Sequence, residues 1–296
     1  MDVDMDAAAR FMASHARQLD RRRYAHLIDG GGAAGIVAAV NAYRNADGGY
    51  GWGLEPDLRS SSSQPGAALH AFEALADAGV ATPEGPALCD WLATVALPDG
   101  GGPFALPIDD PAGCAPFWAG ADHTTSSLQI TAAVVANAHR LARHDPAVAA
   151  HPWLARATRY CLDAIRALDG SPHAIELMFA MHVLDAVHAE HPEADELIAQ
   201  LGKHIPADGV LPVAGGKPDE VLRPLDVAPT PDGPVRALFA DDVIAADLDR
   251  LEAAQEPDGG WTVDFTSYSP AAAQEWRGYA TVGAVATLRA HHRLLA

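Results

Sequence analysis

The sequence predicts an all-α fold built from paired helices. Three observations lead there. Ala, Leu, Arg and Glu fill segments in which apolar residues recur at helical spacing. Alternating β-branched runs are almost absent. Pro and Gly collect between the periodic segments, where they end helices and permit tight turns.

Ten helices follow in order. The first spans about Asp6 to Leu27 and the second Ala34 to Tyr43. The third runs from Gln64 to Ala78, with Leu69, Phe72, Leu75 and Ala76 at helical spacing. The fourth covers Glu84 to Val95. The fifth covers His123 to Arg143, with Leu128, Ala132, Val135 and Ala138 along one stripe. Then come Trp153 to Ala167, Ala174 to Ala189, Glu193 to Lys203, Asp241 to Ala254 and Glu275 to Leu294. No separate linker interrupts them, so residues 1–296 read as one domain. The stretch 205–238 is Pro-rich and too long for a simple connection, and reads as a loop insertion.

Composition narrows the function. The chain has 296 residues with 20 Lys+Arg against 39 Asp+Glu, a net charge of −19. That balance argues against binding to nucleic acid or anionic membrane surfaces, both of which need basic patches. No apolar run approaches the roughly 20 residues of a bilayer span. The acidic start MDVDMDAAARF lacks the order of a signal peptide, so the expectation is a soluble cytoplasmic protein. Cys89, Cys114 and Cys161 are widely spaced, which fits a reducing compartment and buried thiols.

The linkers share one theme. Asp-Gly occurs at positions 47, 99, 169, 208 and 258, each after a predicted helix, and three copies are expanded to DGGYGW, DGGGPF and DGGW. An Asp-Gly pair supplies a turn that tolerates the left-handed region, and the aromatic after it can plug the turn onto a helix end. The recurrence reads as an irregular repeat of helical hairpins.

The segment LEAAQEPDGGW, with Gln255, Gly259 and Trp261 in the order Q-x3-G-x-W, resembles the QW motif of the terpenoid cyclase and protein prenyltransferase superfamily. YRNADGGYGWG is similar to a degenerate copy, with Arg44 and Tyr50 at the Gln and Trp positions. The copy near Asp99 keeps the glycines and Phe104 but lacks the Gln. GGYGWGLEPDLRSSSSQ also resembles a motif of uncharacterised bacterial members. The resemblance implies an α/α toroid of about five to six helical hairpins around a central cavity. It implies a scaffold role for Gln255 and Trp261.

Four constellations carry candidate chemistry. In GLEPDLR, alternate side chains of an extended segment project together, so Glu55, Asp57 and Arg59 share a face, framed by Tyr50 and Trp52. Two carboxylates and a guanidinium suit a polar site or an acid/base pair. The bland alternative is a loop capping the next helix, with Ser60 to Ser63 as capping residues. In PIDD, Asp109 stands where the resemblance places the proton-donating Asp of the cyclase D-x-D-D motif, but Pro107 replaces the first Asp. In GADHTTSSLQ, Asp122 and His123 precede a helix, beside Phe117 and Trp118; Asp122 is either a cap or half of an acid/base pair. In SYSPAAAQEWRGYAT, Glu275, Trp276, Arg277 and Tyr279 open the last helix and line a cavity mouth by the same toroid geometry.

No zinc-ligand spacing, Mg²⁺-binding DDxxD motif, dinucleotide fingerprint or P-loop is present, so neither a cofactor nor a metal is expected. Three functions follow. The leading expectation, carried by the resemblance, is a terpenoid-cyclase-like enzyme acting on an isoprenoid-type substrate. Asp109 or Asp122 is then the proton donor, His123 its orienting partner, and Trp52, Trp118 and Trp276 the cation-facing rings. The second is an enzyme that uses the Glu55/Asp57 pair on a carbohydrate or other polar ligand. The third is a non-catalytic binding or scaffold protein. The partner expected is a small molecule; the oligomeric state stays open.

Overall fold

A computed structural model describes residues 3–294. It is all-α, with fourteen α-helices and one two-stranded antiparallel sheet among the described residues. In chain order the helices are α1 (Met5–His15), α2 (Gln18–Asp29), α3 (Ala33–Val40), α4 (Pro65–Ala78), α5 (Glu84–Val95), α6 (Pro116–Ala119) and α7 (Leu128–Ala142). They continue with α8 (Pro146–Ala149), α9 (Pro152–Arg166), α10 (Ala174–Val187), α11 (Glu193–Gly202), α12 (Pro224–Val227), α13 (Asp241–Ala253) and α14 (Pro270–Ala290).

Burial sorts the helices into layers. Eleven of fourteen residues of α4 and eleven of fifteen of α7 are buried, on nearly every face. Their many alanines permit that close approach. In α9 burial follows one stripe, Trp153, Leu154, Ala157, Cys161, Leu162 and Ile165, the spacing of a helix with one face to the core. Helix α2 packs on α4, α4 on α7, α7 on α10, α10 on α12, α12 on α13, α13 on α14 and α14 on α2. The neighbour order therefore returns to its start.

Three Asp-Gly corners share one hydrogen-bonded turn. The N–H groups of Asn45, Leu97 and Glu256 each donate to the carbonyl four residues on, of Gly49, Gly101 and Gly260, all at 2.8 Å. The N–H groups of Gly48, Gly100 and Gly259 donate back. Asp47, Asp99 and Asp258 each accept from the N–H two residues on, at 3.0, 3.1 and 3.2 Å. Gly48, Gly100 and Gly259 sit at φ of 93°, 99° and 97°, where a side chain is strained. The next glycine lies against an aromatic ring. A Cβ at Gly49 would meet Trp91 of α5 at 2.6 Å, at Gly101 Tyr160 of α9 at 2.6 Å, and at Gly260 Phe11 of α1 at 2.8 Å. Each corner thus docks on the next outer helix, and the last corner docks on the first helix.

Gln255 reinforces that return. Its Nε2 donates to the carbonyls of Asp4 and Gly259, and its Oε1 accepts from the Asp4 N–H at 2.8 Å. Trp261 is buried and donates from Nε1 to the Leu251 carbonyl at 2.8 Å, closing the end of α13. Both residues act on the scaffold.

Several boundaries differ from the sequence reading. The helix expected over Asp6 to Leu27 breaks at Ala16 and Arg17, both extended. No Gly or Pro marks that break. Arg17 there donates to Asp20 and to the Leu54 carbonyl, a contact the local sequence does not contain. The helix expected from His123 begins at Leu128, capped by Ser127. Asp122 is not its cap; it accepts from the Thr124 N–H and hydroxyl in a local turn. The serine run does not cap α4, whose N-cap is Gln64 followed by Pro65; Ser63 donates instead to Asp47. The last helix starts at Pro270 behind Ser269, so Glu275 and Trp276 lie inside it. The Pro-rich stretch folds into a hairpin (Leu211–Pro212 with Val221–Leu222), α12 and a 3₁₀ turn. Asp247 of α13 and Asp185 of α10 hold it by accepting from the N–H groups of Leu225 and Val235.

A methyl group at Gly260 has no room beside Phe11. Gly260→Ala lowers the unfolding free energy by about 1–3 kcal/mol. A denaturant midpoint equal to that of the unsubstituted protein would remove the corner packing from the account of the fold.

Candidate functional site

Helix α4 carries His70, Glu73 and Asp77 at positions i, i+3 and i+7, one face of the helix. That face meets α14, α2, α7 and the loop before α4. The His70 ring bridges two carboxylates: Nε2 lies 2.7 Å from Glu55 Oε2 and Nδ1 lies 2.8 Å from Glu73 Oε2. Tyr279 of α14 donates its hydroxyl to Glu73 Oε1 at 2.8 Å. Trp276, one turn earlier, stands edge-on to His70 and to Tyr279, with centroids 5.8 and 5.3 Å apart.

Charges continue along the same interior surface. Arg23 of α2 donates to Asp77 at 2.8 Å and lies over the Tyr279 ring, 5.5 Å from its centroid. Arg140 of α7 donates to Asp77 at 2.9 Å and to Asn137 at 2.7 Å. Asp20 pairs with Arg17 at 2.8 Å and lies 3.9 Å from Arg23. Along this surface carboxylates and cations alternate, so Asp20, Arg23, His70, Glu73 and Asp77 each face an opposite charge.

These contacts set the proton affinities. Burial alone would lower the His70 pKa, but Glu73 and Glu55 outweigh it and raise it to about 9. Burial alone would raise Glu73, but His70, Arg23 and Tyr279 outweigh it and lower it to about 2. Burial and the adjacent Glu73 push the Tyr279 phenol well above its ordinary value. At neutral pH His70 is therefore an imidazolium, Glu73 a carboxylate and Tyr279 a neutral phenol.

Above His70 lies a second cluster. Asp57 is buried; Oδ1 accepts from the Tyr268 N–H at 2.8 Å and Oδ2 from the Trp276 indole at 2.7 Å. The Asp57 N–H donates to Glu55 Oε1 at 3.1 Å. Arg59 and Glu275, both partly exposed, pair at 2.6 Å. Exposed rings surround this cluster. Phe117, Tyr268 and Phe265 are 50%, 45% and 38% exposed. Phe117 meets Tyr268 edge-on at 5.6 Å, and Phe265 meets Trp276 at 5.0 Å. Three of the five exposed large hydrophobic side chains among the described residues thus gather around Asp57 and Trp276.

The structure brings six sequence candidates together: Glu55, Asp57, Arg59, Glu275, Trp276 and Tyr279. The others stand apart from the imidazole chain. Tyr50 is fully buried, its hydroxyl 3.4 Å from Asn41 Oδ1. Trp52 is exposed and donates to Asn45 at 2.7 Å. Trp118 is buried and stacks on Phe104 at 4.5 Å, with Phe117 between it and Tyr268. Arg277 donates twice to Asp258, at 2.8 and 2.7 Å, and lies over Phe11, so it serves the last corner. Asp109, Asp122 and His123 are exposed. Hydrogen bonds from Thr124 and Thr125 hold the Asp122 carboxyl down at about 2. No hydrogen bond or ion pair joins these three to Glu55, Asp57 or His70 among the described residues. The described residues contain no cluster of His, Cys, Asp or Glu able to hold a metal ion. No helix among them is long and apolar enough to cross a membrane.

Sequence reasoning missed His70, Glu73, Asp77 and Arg23. The signal was present: three ionisable residues at i, i+3 and i+7 on a helix whose other residues are all apolar or glycine.

The imidazole chain links stability to pH. The folded His70 pKa lies above its unfolded value, so its contribution is complete below about pH 6.5 and is lost as pH rises through about 9. Thermal midpoints measured from pH 6 to 10 fall across this window, by an amount equivalent to on the order of 2–3 kcal/mol. In His70→Gln that fall is absent. An identical slope in both proteins would show that the imidazole is not charged in the fold.

No family model matches this chain, and no curated protein does. Among solved structures, a crystal structure of a protein from Actinoplanes is similar in fold, with a TM-score of 0.52 and 15% sequence identity. The likeness covers 98% of this chain and 100% of that one.

Proposed function

We propose that the protein is a ring of helical hairpins whose aromatic-rimmed opening binds a hydroxyl-rich ligand, an oligosaccharide, over the Glu55–His70–Glu73–Tyr279 chain. One observation carries the reading: exposed aromatic rings gather around Asp57 and Trp276, and Trp276 packs on the buried acid–base chain. Aromatic faces stack on the apolar faces of sugar rings, while carboxylates and guanidinium groups take the hydroxyls. Arg59 and Glu275, the exposed ion pair, are the groups a ligand meets first. Glu55 is the proton acceptor. When it takes a proton, His70 stays paired with Glu73, so no buried charge is left alone. Tyr279 and Asp57 hold the surrounding geometry.

The cyclase reading draws less support from this geometry. Acid-initiated cyclisation needs a protonated carboxyl in an apolar chamber. Asp109 is exposed, Asp122 is ionised at neutral pH, and the surface around His70 is charged.

Linear gluco-, xylo- and chito-oligosaccharides, titrated calorimetrically, test the proposal. One class binds, and Phe117→Ala and Tyr268→Ala each weaken it roughly tenfold, because both rings are exposed and contribute contact rather than folding. If the bound glycan is cleaved, Glu55→Gln abolishes cleavage and retains binding. No binding by any class would overturn the proposal. Turnover of an isoprenoid substrate that Asp109→Asn abolishes would restore the cyclase reading.

A further inference from the structure

Trp52 is the most exposed large hydrophobic side chain among the described residues, at 58%. The other five tryptophans are 8% exposed or less. Its backbone is unusual as well. Trp52 has a φ of 57°, in the left-handed region that glycine enters freely and a bulky residue enters only at a cost. Its neighbours Gly51 and Gly53 are bare for lack of room, since a Cβ on them would strike the Ser62 carbonyl and the Arg59 guanidinium. Glycine would suit position 52 too, yet the chain carries its largest kind of side chain there.

The ring is held in place. The Trp52 N–H donates to the Ser60 carbonyl at 2.7 Å, and its indole Nε1 donates to Asn45 Oδ1 at 2.7 Å. Asn45 is itself fixed. Its Nδ2 donates to the Ser61 carbonyl and the Ser63 hydroxyl, both at 3.0 Å, and its N–H closes the first Asp-Gly corner. The indole is therefore anchored by its one polar edge, while much of its apolar surface stays in water. Such a ring gives the core no burial. Strain kept at an exposed, anchored aromatic is the mark of a contact surface, where a strained residue serves binding rather than folding.

Arg59 connects Trp52 to the aromatic patch. Its guanidinium lies against Gly53, the residue after Trp52, and pairs with Glu275, the residue before Trp276. Phe265 meets Trp276 edge-on, and Trp276 and Tyr268 both donate to Asp57.

We infer that Trp52 is a second sugar-stacking platform, which takes a further residue of the same oligosaccharide that the Phe117–Tyr268 patch binds. This rests on the reading of that patch as a glycan site. The indole face packs on the apolar face of a pyranose, and the exposed Ser61 and Ser62 that follow its backbone partner offer uncharged hydroxyls. Two platforms on one chain bind long ligands more tightly than short ones, because the second contact forms within a complex already made.

Calorimetric titration with gluco-, xylo- and chito-oligosaccharides of three and six sugars tests the platform. In the class that binds, the hexasaccharide is at least tenfold tighter than the trisaccharide. Trp52→Gly, which suits the φ and removes the ring, abolishes that gain and leaves trisaccharide affinity within twofold. Its thermal midpoint equals or exceeds that of the unsubstituted protein. Acrylamide quenching gives a second readout, since Trp52 is the one highly exposed tryptophan among the described residues. The hexasaccharide shields it and the trisaccharide does not. A hexasaccharide that binds Trp52→Gly equally well, with quenching unchanged, overturns the platform and leaves the patch standing. Equal weakening at both lengths, or a lowered thermal midpoint, overturns it in favour of a structural ring. Binding of no oligosaccharide at either length removes the patch reading and the platform with it.

Discussion

The structure depends on how it pairs the charges it buries. Asp57 is taken out of water between two groups far along the chain, the Tyr268 N–H and the Trp276 indole, 211 and 219 residues away. An unpaired buried carboxylate would cost several kcal/mol. The loop before α4 and the start of α14 therefore hold one relative position. Glu55, two residues earlier, inherits that position and meets His70. Glu73 and Tyr279 extend the link from α4 to α14, and Arg23 carries it to α2.

The corners do complementary work with no buried charge. Each begins as a local turn, closed by backbone hydrogen bonds and one Asp side chain. Each then presents a bare glycine to an aromatic ring of another helix. The absence of a side chain is what permits the ring to approach, so turn and packing share one requirement. Gln255 adds side-chain hydrogen bonds to the last corner and ties it to residue 4. This explains why the QW-like copy with an intact Gln is the one that joins the end of the chain to its beginning.

The aromatic patch around Asp57 combines features that separate elements supply. Phe117 comes from α6, Tyr268 and Phe265 from the loop before α14, and Arg59 from the loop before α4. The helix-borne His70, Glu73 and Tyr279 are buried or partly buried and paired, while the rings are exposed and Arg59 and Glu275 pair at partly exposed positions.

Local patterns alone determined the all-α class, most helix spans and the positions of the Asp-Gly corners. Each depends on groups within a few residues: helical periodicity, a φ that glycine tolerates, an Asp accepting from the N–H two residues on. Even the stripe of His70, Glu73 and Asp77 was legible as a face. Tertiary structure decided which polar residues meet. The break at Ala16 and Arg17 carries no Gly or Pro, and Arg17 there reaches both the nearby Asp20 and the distant Leu54 carbonyl. Glu55, Asp57, Asp122 and Trp276, from three segments of the sequence, were expected to converge; the fold joined the first two with Trp276 and left Asp122 out. Asp109, Asp122 and His123 looked equivalent to them there, yet remained at the surface. The reason is physical: a turn is stabilised within itself, whereas a buried charge is stabilised only by partners that folding brings from distant segments.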